Sequence, residues 1–123
     1  ENPFFGIGAG SFTEIFFLNT NFWKGHSHNL LFELSISDGL PATIILFISI
    51  INILYLSSKK IFTSKMKTDD NYIDRAFWTA LFFFLISQVA DIQYFDGKIS
   101  LITWILIAGL KNIILDKDYR NLT

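Results

Sequence analysis

The chain has 123 residues, of which 51% are hydrophobic and 17% aromatic, and its formal net charge is -1 at pH 7. Its mean hydropathy of +0.41 lies above the usual range of soluble domains. The 14 phenylalanines gather in or beside long apolar runs, where a soluble domain would alternate polar and apolar positions. The lack of cysteine excludes disulfides and thiolate metal sites. This composition excludes an ordinary soluble domain and favours a membrane protein.

The first segment, residues 1–29, is rich in Gly, Asn and aromatic residues and has no sustained period. It starts at Glu1 without an initiator methionine, and it lacks the basic and apolar regions of a signal peptide. We expect a loop that begins inside a longer polypeptide, with one short interfacial helix around residues 12–18. Four aromatic residues are expected at headgroup depth: Phe16, Phe17, Phe22 and Trp23.

The second segment, residues 30–123, predicts an all-α membrane domain with about three transmembrane helices. Apolar runs recur along it, and residues 39–56 carry no charge. The predicted runs are long enough, at about 1.5 Å per residue, to cross or nearly cross a hydrocarbon core of roughly 30 Å. The domain divides into spans at about 34–56, 76–92 and 99–115, a loop at 57–75, a turn at 91–98 and a tail at 116–123.

The lysines predict the orientation. Four of them, at positions 59, 60, 65 and 67, lie in the loop 57–75. Short loops rich in Lys and Arg stay in the cytoplasm. With three crossings, the tail is also cytoplasmic, and both residues 1–29 and the turn 91–98 face the periplasm. We therefore expect a multi-pass protein of the bacterial inner (plasma) membrane.

Polar residues are dense just before the first predicted span, and the set comprises Lys24, His26, Ser27, His28, Asn29 and Glu33. A histidine takes or gives a proton near neutral pH, because its unperturbed pKa is about 6.5. If a helix begins at Asn29, Asn29 and Glu33 share one face at four-residue spacing. Two interpretations stay open from the residues alone: these side chains cap a helix and wet the interface, or they form a catalytic site.

The pair His26-x-His28 also raises the question of a metal site. On a helix the two rings would point to opposite sides, and only an extended backbone would let both bind one ion. No third ligand is evident nearby in the sequence. The glycine-rich run of residues 6–12 does not have the spacing of a dinucleotide fingerprint and favours a flexible loop. We therefore expect neither a metal nor a cofactor. Gly39 and Pro41 are expected to set a bend where the polar segment enters the membrane. Asp91 is expected to be a solvated turn residue, with a contact to Lys98 or to the site left open.

One motif order is informative: Asn2-Pro3-Phe4-Phe5-Gly6-x-Gly8-x-Gly10-Ser11-Phe12, then His28-Asn29, then Gly39 after nine intervening residues, then a long apolar span. It resembles the O-antigen ligase and polymerase superfamily of membrane glycosyltransferases, whose relatives include the protein O-oligosaccharyltransferases. In that signature the residue three after the glycine is Gly, Thr or Tyr, whereas this chain has Ala42. The turn 91–98 and the Trp-containing run after it resemble the family's closing hairpin. The resemblance covers essentially the whole chain as the C-terminal part of a family member.

The resemblance implies a polytopic helical glycosyltransferase of lipopolysaccharide or polysaccharide biosynthesis. Its donor would be a glycan on undecaprenyl pyrophosphate at the periplasmic side, and its acceptor a lipid A core sugar, a polysaccharide or a protein hydroxyl. No nucleic-acid partner is expected. The family's periplasmic histidine maps onto His28 as the catalytic residue. The same segment offers four candidate substrate-binding residues: His26, Asn29, Lys24 and Glu33.

Family members bind the pyrophosphate with arginines from an earlier region of the protein. We therefore expect this chain to hold part of a site and to be inactive alone. The alternative from another functional class is a non-catalytic membrane accessory or transport subunit, which would use three spans to pack against its partners.

The predicted topology can be tested by cysteine accessibility. We expect a membrane-impermeant maleimide applied from the periplasmic side to label Ser27→Cys and to reach Ser64→Cys only after the membrane is permeabilised. Labelling of both positions from the same side would contradict the topology.

Overall fold

The computed structural model describes residues 2–63 and 72–116, and these residues form helices and connecting segments with no strand. The helices are, in chain order, α1 Ser11–Thr20, α2 Leu30–Ser37, α3 Leu40–Thr63, α4 Tyr72–Ser87 and α5 Gly97–Leu115. The prediction of an all-α fold is confirmed for these residues. Residues 64–71 of the predicted loop and residues 117–123 of the predicted tail lie outside the described residues.

The helix bounds differ from the predicted intervals at the first span. The interval 34–56 covers the end of α2 and the first part of α3, because the chain breaks between them at Gly39. Gly39 has φ +88, a backbone conformation that residues with a Cβ rarely adopt. Pro41 follows in the first turn of α3, where its missing N–H costs little. At its other end α3 continues to Thr63, so the first residues of the predicted loop are helical.

Helices α3, α4 and α5 pack around a small buried cluster formed by Ile61, Leu81, Ile107, Leu110 and Ile113. The indole nitrogen of Trp78 on α4 donates a hydrogen bond of 2.9 Å to the carbonyl oxygen of Leu54 on α3. Nζ of Lys60 donates to the carbonyl oxygens of Ile113 at 3.0 Å and Asp116 at 2.7 Å. The carboxyl ends of α3 and α5 therefore lie at the same end of the bundle, and a cation stabilises the end of α5.

Among the described residues, two helices are long and apolar enough to cross a membrane. Helix α3 has 24 residues and α5 has 19, and the most apolar 18-residue windows of the two helices have mean hydropathies of 2.1 and 1.7. Only 11% and 22% of their most apolar windows are buried inside the protein, so most of their apolar surface faces outward. Helix α4 has 16 residues, fewer than the roughly 20 that a span needs. The predicted span 76–92, most of which lies in α4, therefore stays a prediction.

The N-terminal strap, residues 2–10, lies across the junction of α2 and α3. The amides of Ile7 and Gly8 donate to the carbonyls of Ile36 and Ser37 at 2.9 and 3.0 Å, and the amide of Leu40 donates to the carbonyl of Pro3 at 2.8 Å. A Cβ on Gly39 would overlap the backbone of the strap at Phe4. The glycine-rich run, expected to be flexible, is thus fixed by backbone hydrogen bonds against the end of α2.

Gly39→Ala should destabilise the protein. The new Cβ would overlap the strap backbone, and the positive φ disfavours any side chain. Together these effects should lower the free energy of unfolding by about 1–3 kcal/mol. Thermal unfolding in detergent measures the effect. The control is Gly97→Ala at the start of α5, where a Cβ meets nothing within 4 Å and the stability should be unchanged or slightly higher. Equal unfolding temperatures for the two variants would contradict the strap packing.

Candidate functional site

The candidate site lies where the start of α2 meets the turn between α4 and α5, residues 88–96. The amide of Leu30 donates to the carbonyl oxygen of Gln88 at 3.0 Å. The side chain of Gln88 is 2% exposed. Its Oε1 accepts hydrogen bonds from the amides of Gln93 and Tyr94 at 3.0 and 3.1 Å. A buried amide therefore holds the turn in shape and the backbone joins it to α2.

Asn29 is the N-cap residue of α2. Its Oδ1 accepts hydrogen bonds from the amides of Leu31 and Phe32 at 3.0 and 3.3 Å, which is the usual geometry of an asparagine cap. Its Nδ2 donates to the carbonyl oxygen of Val89 at 3.2 Å. The side chain thus fixes the start of α2 and binds it to the turn. These two tasks occupy the atoms that the sequence suggested for substrate binding.

His28 and Asp91 form a hydrogen-bonded pair across this junction. Nδ1 of His28 lies 2.9 Å from Oδ1 of Asp91, which is 63 residues further along the chain. The two side chains are 51% and 59% exposed. The hydrogen bond from His28, followed by one from the amide of Ile92, lowers the pKa of Asp91 below its ordinary value. Asp91 is therefore ionised at neutral pH and acts as the acceptor.

The pairing fixes the tautomer of a neutral His28. Because an ionised carboxylate only accepts, the imidazole carries its proton on Nδ1 and leaves a lone pair on Nε2. A histidine held in this way can take a proton from a hydroxyl group, and the carboxylate stabilises the resulting imidazolium. The arrangement is chemically suited to general-base catalysis at an exposed face.

His26 lies beside His28 in the segment before α2, where the two rings are not separated as they would be on a helix. The backbone of His28 is left-handed, with φ 57, and this turn brings the two ring centroids to 4.4 Å. Nδ1 of His26 accepts a hydrogen bond of 3.2 Å from the amide of His28. The ligand-type atoms of His26, His28 and Asp91 all lie within 4.8 Å of one another. Asp91 is therefore a third group of ligand type that sequence spacing did not reveal.

Glu33 supports the histidine segment from inside the protein. Its side chain is 3% exposed, and its Oε2 accepts a hydrogen bond of 2.8 Å from the amide of Ser27. The Ser27 hydroxyl donates to the carbonyl oxygen of Asn29 at 2.9 Å. Glu33 and Ser37 are both buried on the inner face of α2. Glu33 is thus placed to position the segment rather than to contact a substrate in solvent.

Lys24 lies apart from this hydrogen-bonded group. Its ammonium is 5.7 Å from the ring centroid of Phe16 on α1, a cation–π contact. Within residues 2–63 and 72–116, no hydrogen bond joins Lys24 to either histidine. The structure brings together His26, His28, Asn29 and Glu33 of the predicted site residues. The added residue is Asp91, whose signal in the sequence was its place just after an apolar run on the predicted periplasmic side.

Comparisons with protein-family models, with curated proteins and with solved structures find no match to this chain. The function of the site therefore has to be inferred from its own geometry and from the motif resemblance.

The role of Glu33 predicts a local effect on stability. Glu33→Leu removes the acceptor of the Ser27 amide, which costs about 1–3 kcal/mol when the group stays partly buried. We expect faster hydrogen–deuterium exchange in residues 24–30, by about tenfold for each 1.4 kcal/mol lost. Glu33→Gln keeps an acceptor oxygen and is the matched control. Wild-type exchange in Glu33→Leu would contradict the positioning role.

Proposed function

We propose that the chain is the C-terminal part of a membrane glycosyltransferase of the O-antigen ligase type, acting at the periplasmic face of the bacterial inner membrane. The observation that carries the proposal is the hydrogen bond of 2.9 Å between His28 Nδ1 and Asp91 Oδ1. It leaves Nε2 of a half-exposed histidine free to accept a proton. The histidine that the resemblance marks as catalytic is thus the one that has a carboxylate partner.

The packing of the motif residues supports the same proposal. The nine residues between Asn29 and Gly39 are the eight residues of α2 and Asp38. Asn29 caps one end of that helix, and Gly39 ends the other where the strap crosses. The three parts of the motif therefore belong to one structural unit, which gives their spacing a physical reason.

The direction of the helices supports α4 as a crossing between α3 and α5. Helices α3 and α5 end at the same end of the bundle, because Lys60 on α3 binds the carboxyl end of α5. If both cross the membrane, the chain between them has to return through it, and α4 is the helix that lies between. A bilayer that thins locally or charged ends that reach the interface would accommodate its 16 residues.

The chemistry proposed for the site is the transfer of a glycan to a hydroxyl group. The acceptor oxygen attacks the anomeric carbon of a glycan linked to undecaprenyl pyrophosphate, and its proton passes to Nε2 of His28. The bond from the anomeric carbon to the pyrophosphate oxygen breaks, and undecaprenyl pyrophosphate leaves with the electron pair. Asp91 stabilises the imidazolium that forms. Base catalysis of this kind contributes about 10²–10⁴ in rate.

The proposal predicts different losses for the base and for its partner. In the protein at its natural length, His28→Ala should lower kcat for glycan transfer by about 10²–10⁴. Asp91→Asn keeps an acceptor oxygen but loses the charge that stabilises the imidazolium, so kcat should fall by roughly 10- to 100-fold with little change in KM. Transfer of a radiolabelled glycan to its acceptor in permeabilised membranes measures both.

Asp38→Asn is the matched control, since Asp38 is an exposed carboxylate at the other end of α2. It should transfer glycan at the wild-type rate. Wild-type-like transfer by His28→Ala, in a protein that still inserts into the membrane, would contradict the proposal and favour the non-catalytic accessory subunit.

A further inference from the structure

We propose that His26, His28 and Asp91 form a binding site for a divalent transition metal ion of the Zn²⁺ class. The sequence predicted no metal site here. The proposal goes beyond the proposed function and does not depend on it. One ligand-type atom from each residue lies within 4.8 Å of the other two. Two imidazoles and one carboxylate are a usual ligand set for Zn²⁺ sites that keep a fourth position open.

The distances are close to those that a bound ion needs. Ligand atoms about 2.0–2.2 Å from Zn²⁺ lie roughly 3.3–3.6 Å from one another in a tetrahedron. His28 Nδ1 and Asp91 Oδ1 are 2.9 Å apart because they share a hydrogen bond, and an ion bound at Nδ1 would displace the proton that this nitrogen carries to solvent. No two of the three ligand atoms are more than 4.8 Å apart, so none has to approach another by much more than 1 Å. Because the side chains of His28 and Asp91 are 51% and 59% exposed, they can rotate by this amount without displacing buried atoms.

The backbone that carries the ligands is fixed. The left-handed turn at His28 holds the two imidazoles side by side. Asn29, the next residue, is bonded to Val89 at 3.2 Å, and Val89 lies two residues before Asp91. The amide of Leu30 is bonded to Gln88 at 3.0 Å. The two segments that supply ligands are thus joined directly beside the site, which keeps the entropic cost of gathering them small.

The ligand types select the metal. Imidazole nitrogens suit Zn²⁺, Co²⁺, Ni²⁺ and Cu²⁺, whereas Mg²⁺ and Ca²⁺ prefer oxygen ligands. A group with two histidines and a single carboxylate should therefore bind Co²⁺ and Zn²⁺ and show no measurable competition from Mg²⁺. A bound ion would use the imidazole that the proposed function assigns to the base, so metal binding and catalysis have to be measured separately.

The site is tested with Co²⁺, whose visible absorption depends on its ligand geometry. The protein at its natural length, with a tag that contains no histidine, is placed in lipid nanodiscs and titrated with Co²⁺. We expect one ion per protein, a visible absorption band typical of tetrahedral Co²⁺, and displacement of Co²⁺ by Zn²⁺ but not by Mg²⁺. Asp91→Asn and His26→Gln should each weaken binding by about tenfold or more. Asp38→Asn is the control and should bind like wild type.

Equal Co²⁺ affinity in the wild type, Asp91→Asn and His26→Gln would overturn the proposal, as would the absence of a saturable visible band. Circular dichroism of each variant separates the loss of a ligand from the loss of fold. The result does not depend on glycan transfer. A protein that binds Co²⁺ through these residues supports the metal site whether or not His28 is a base.

Discussion

The side chain of Asn29 holds the two halves of the candidate site together. Its oxygen fixes the start of α2 through two amides, and its nitrogen binds the carbonyl of Val89 in the turn between α4 and α5. Each such hydrogen bond contributes only about 1 kcal/mol net. The importance of the bond to Val89 lies in geometry, because it joins segments 60 residues apart. His28 is next to Asn29, and Asp91 is two residues beyond Val89, so the contact between histidine and carboxylate follows from this one amide.

The strap and α2 form the frame on which that contact depends. Helix α2 has eight residues between its asparagine cap and the break at Asp38 and Gly39. Adding one residue to it would rotate everything beyond the insertion by about 100°. Glu33 and Ser37 now both face the interior, where Glu33 holds the amide of Ser27. A change in length would turn one of them outward and release the segment that carries the histidines. The fixed interval between Asn29 and Gly39 is therefore a consequence of helix geometry.

The features that depend on local patterns were predicted from the sequence. The features that depend on tertiary contacts were not. Apolar runs predicted the helices α3, α4 and α5, and the aromatic segment near residue 12 predicted α1. A bend at Gly39 and Pro41 was expected, but its division of the predicted span 34–56 into two helices was not, because a positive φ leaves no mark in hydropathy. The candidate residues near His28 were recognised as a polar segment before a span. Their partner Asp91 was not assigned, because a contact between residues 63 positions apart requires the fold. The inward orientation of Glu33 likewise depends on packing.

The contact of Lys60 with the carboxyl end of α5 joins a donor that is synthesised early to acceptors that are synthesised later. The last carbonyl groups of a helix have no partners within the helix, and a cation placed there stabilises them. Lys60 supplies that cation from α3, which precedes α5 in the chain. On the ribosome, the ammonium is therefore synthesised before the carbonyls that it binds. Helix α5 can therefore dock against a helix that is already complete, and the carbonyl groups at its end gain the ammonium of Lys60 as it docks.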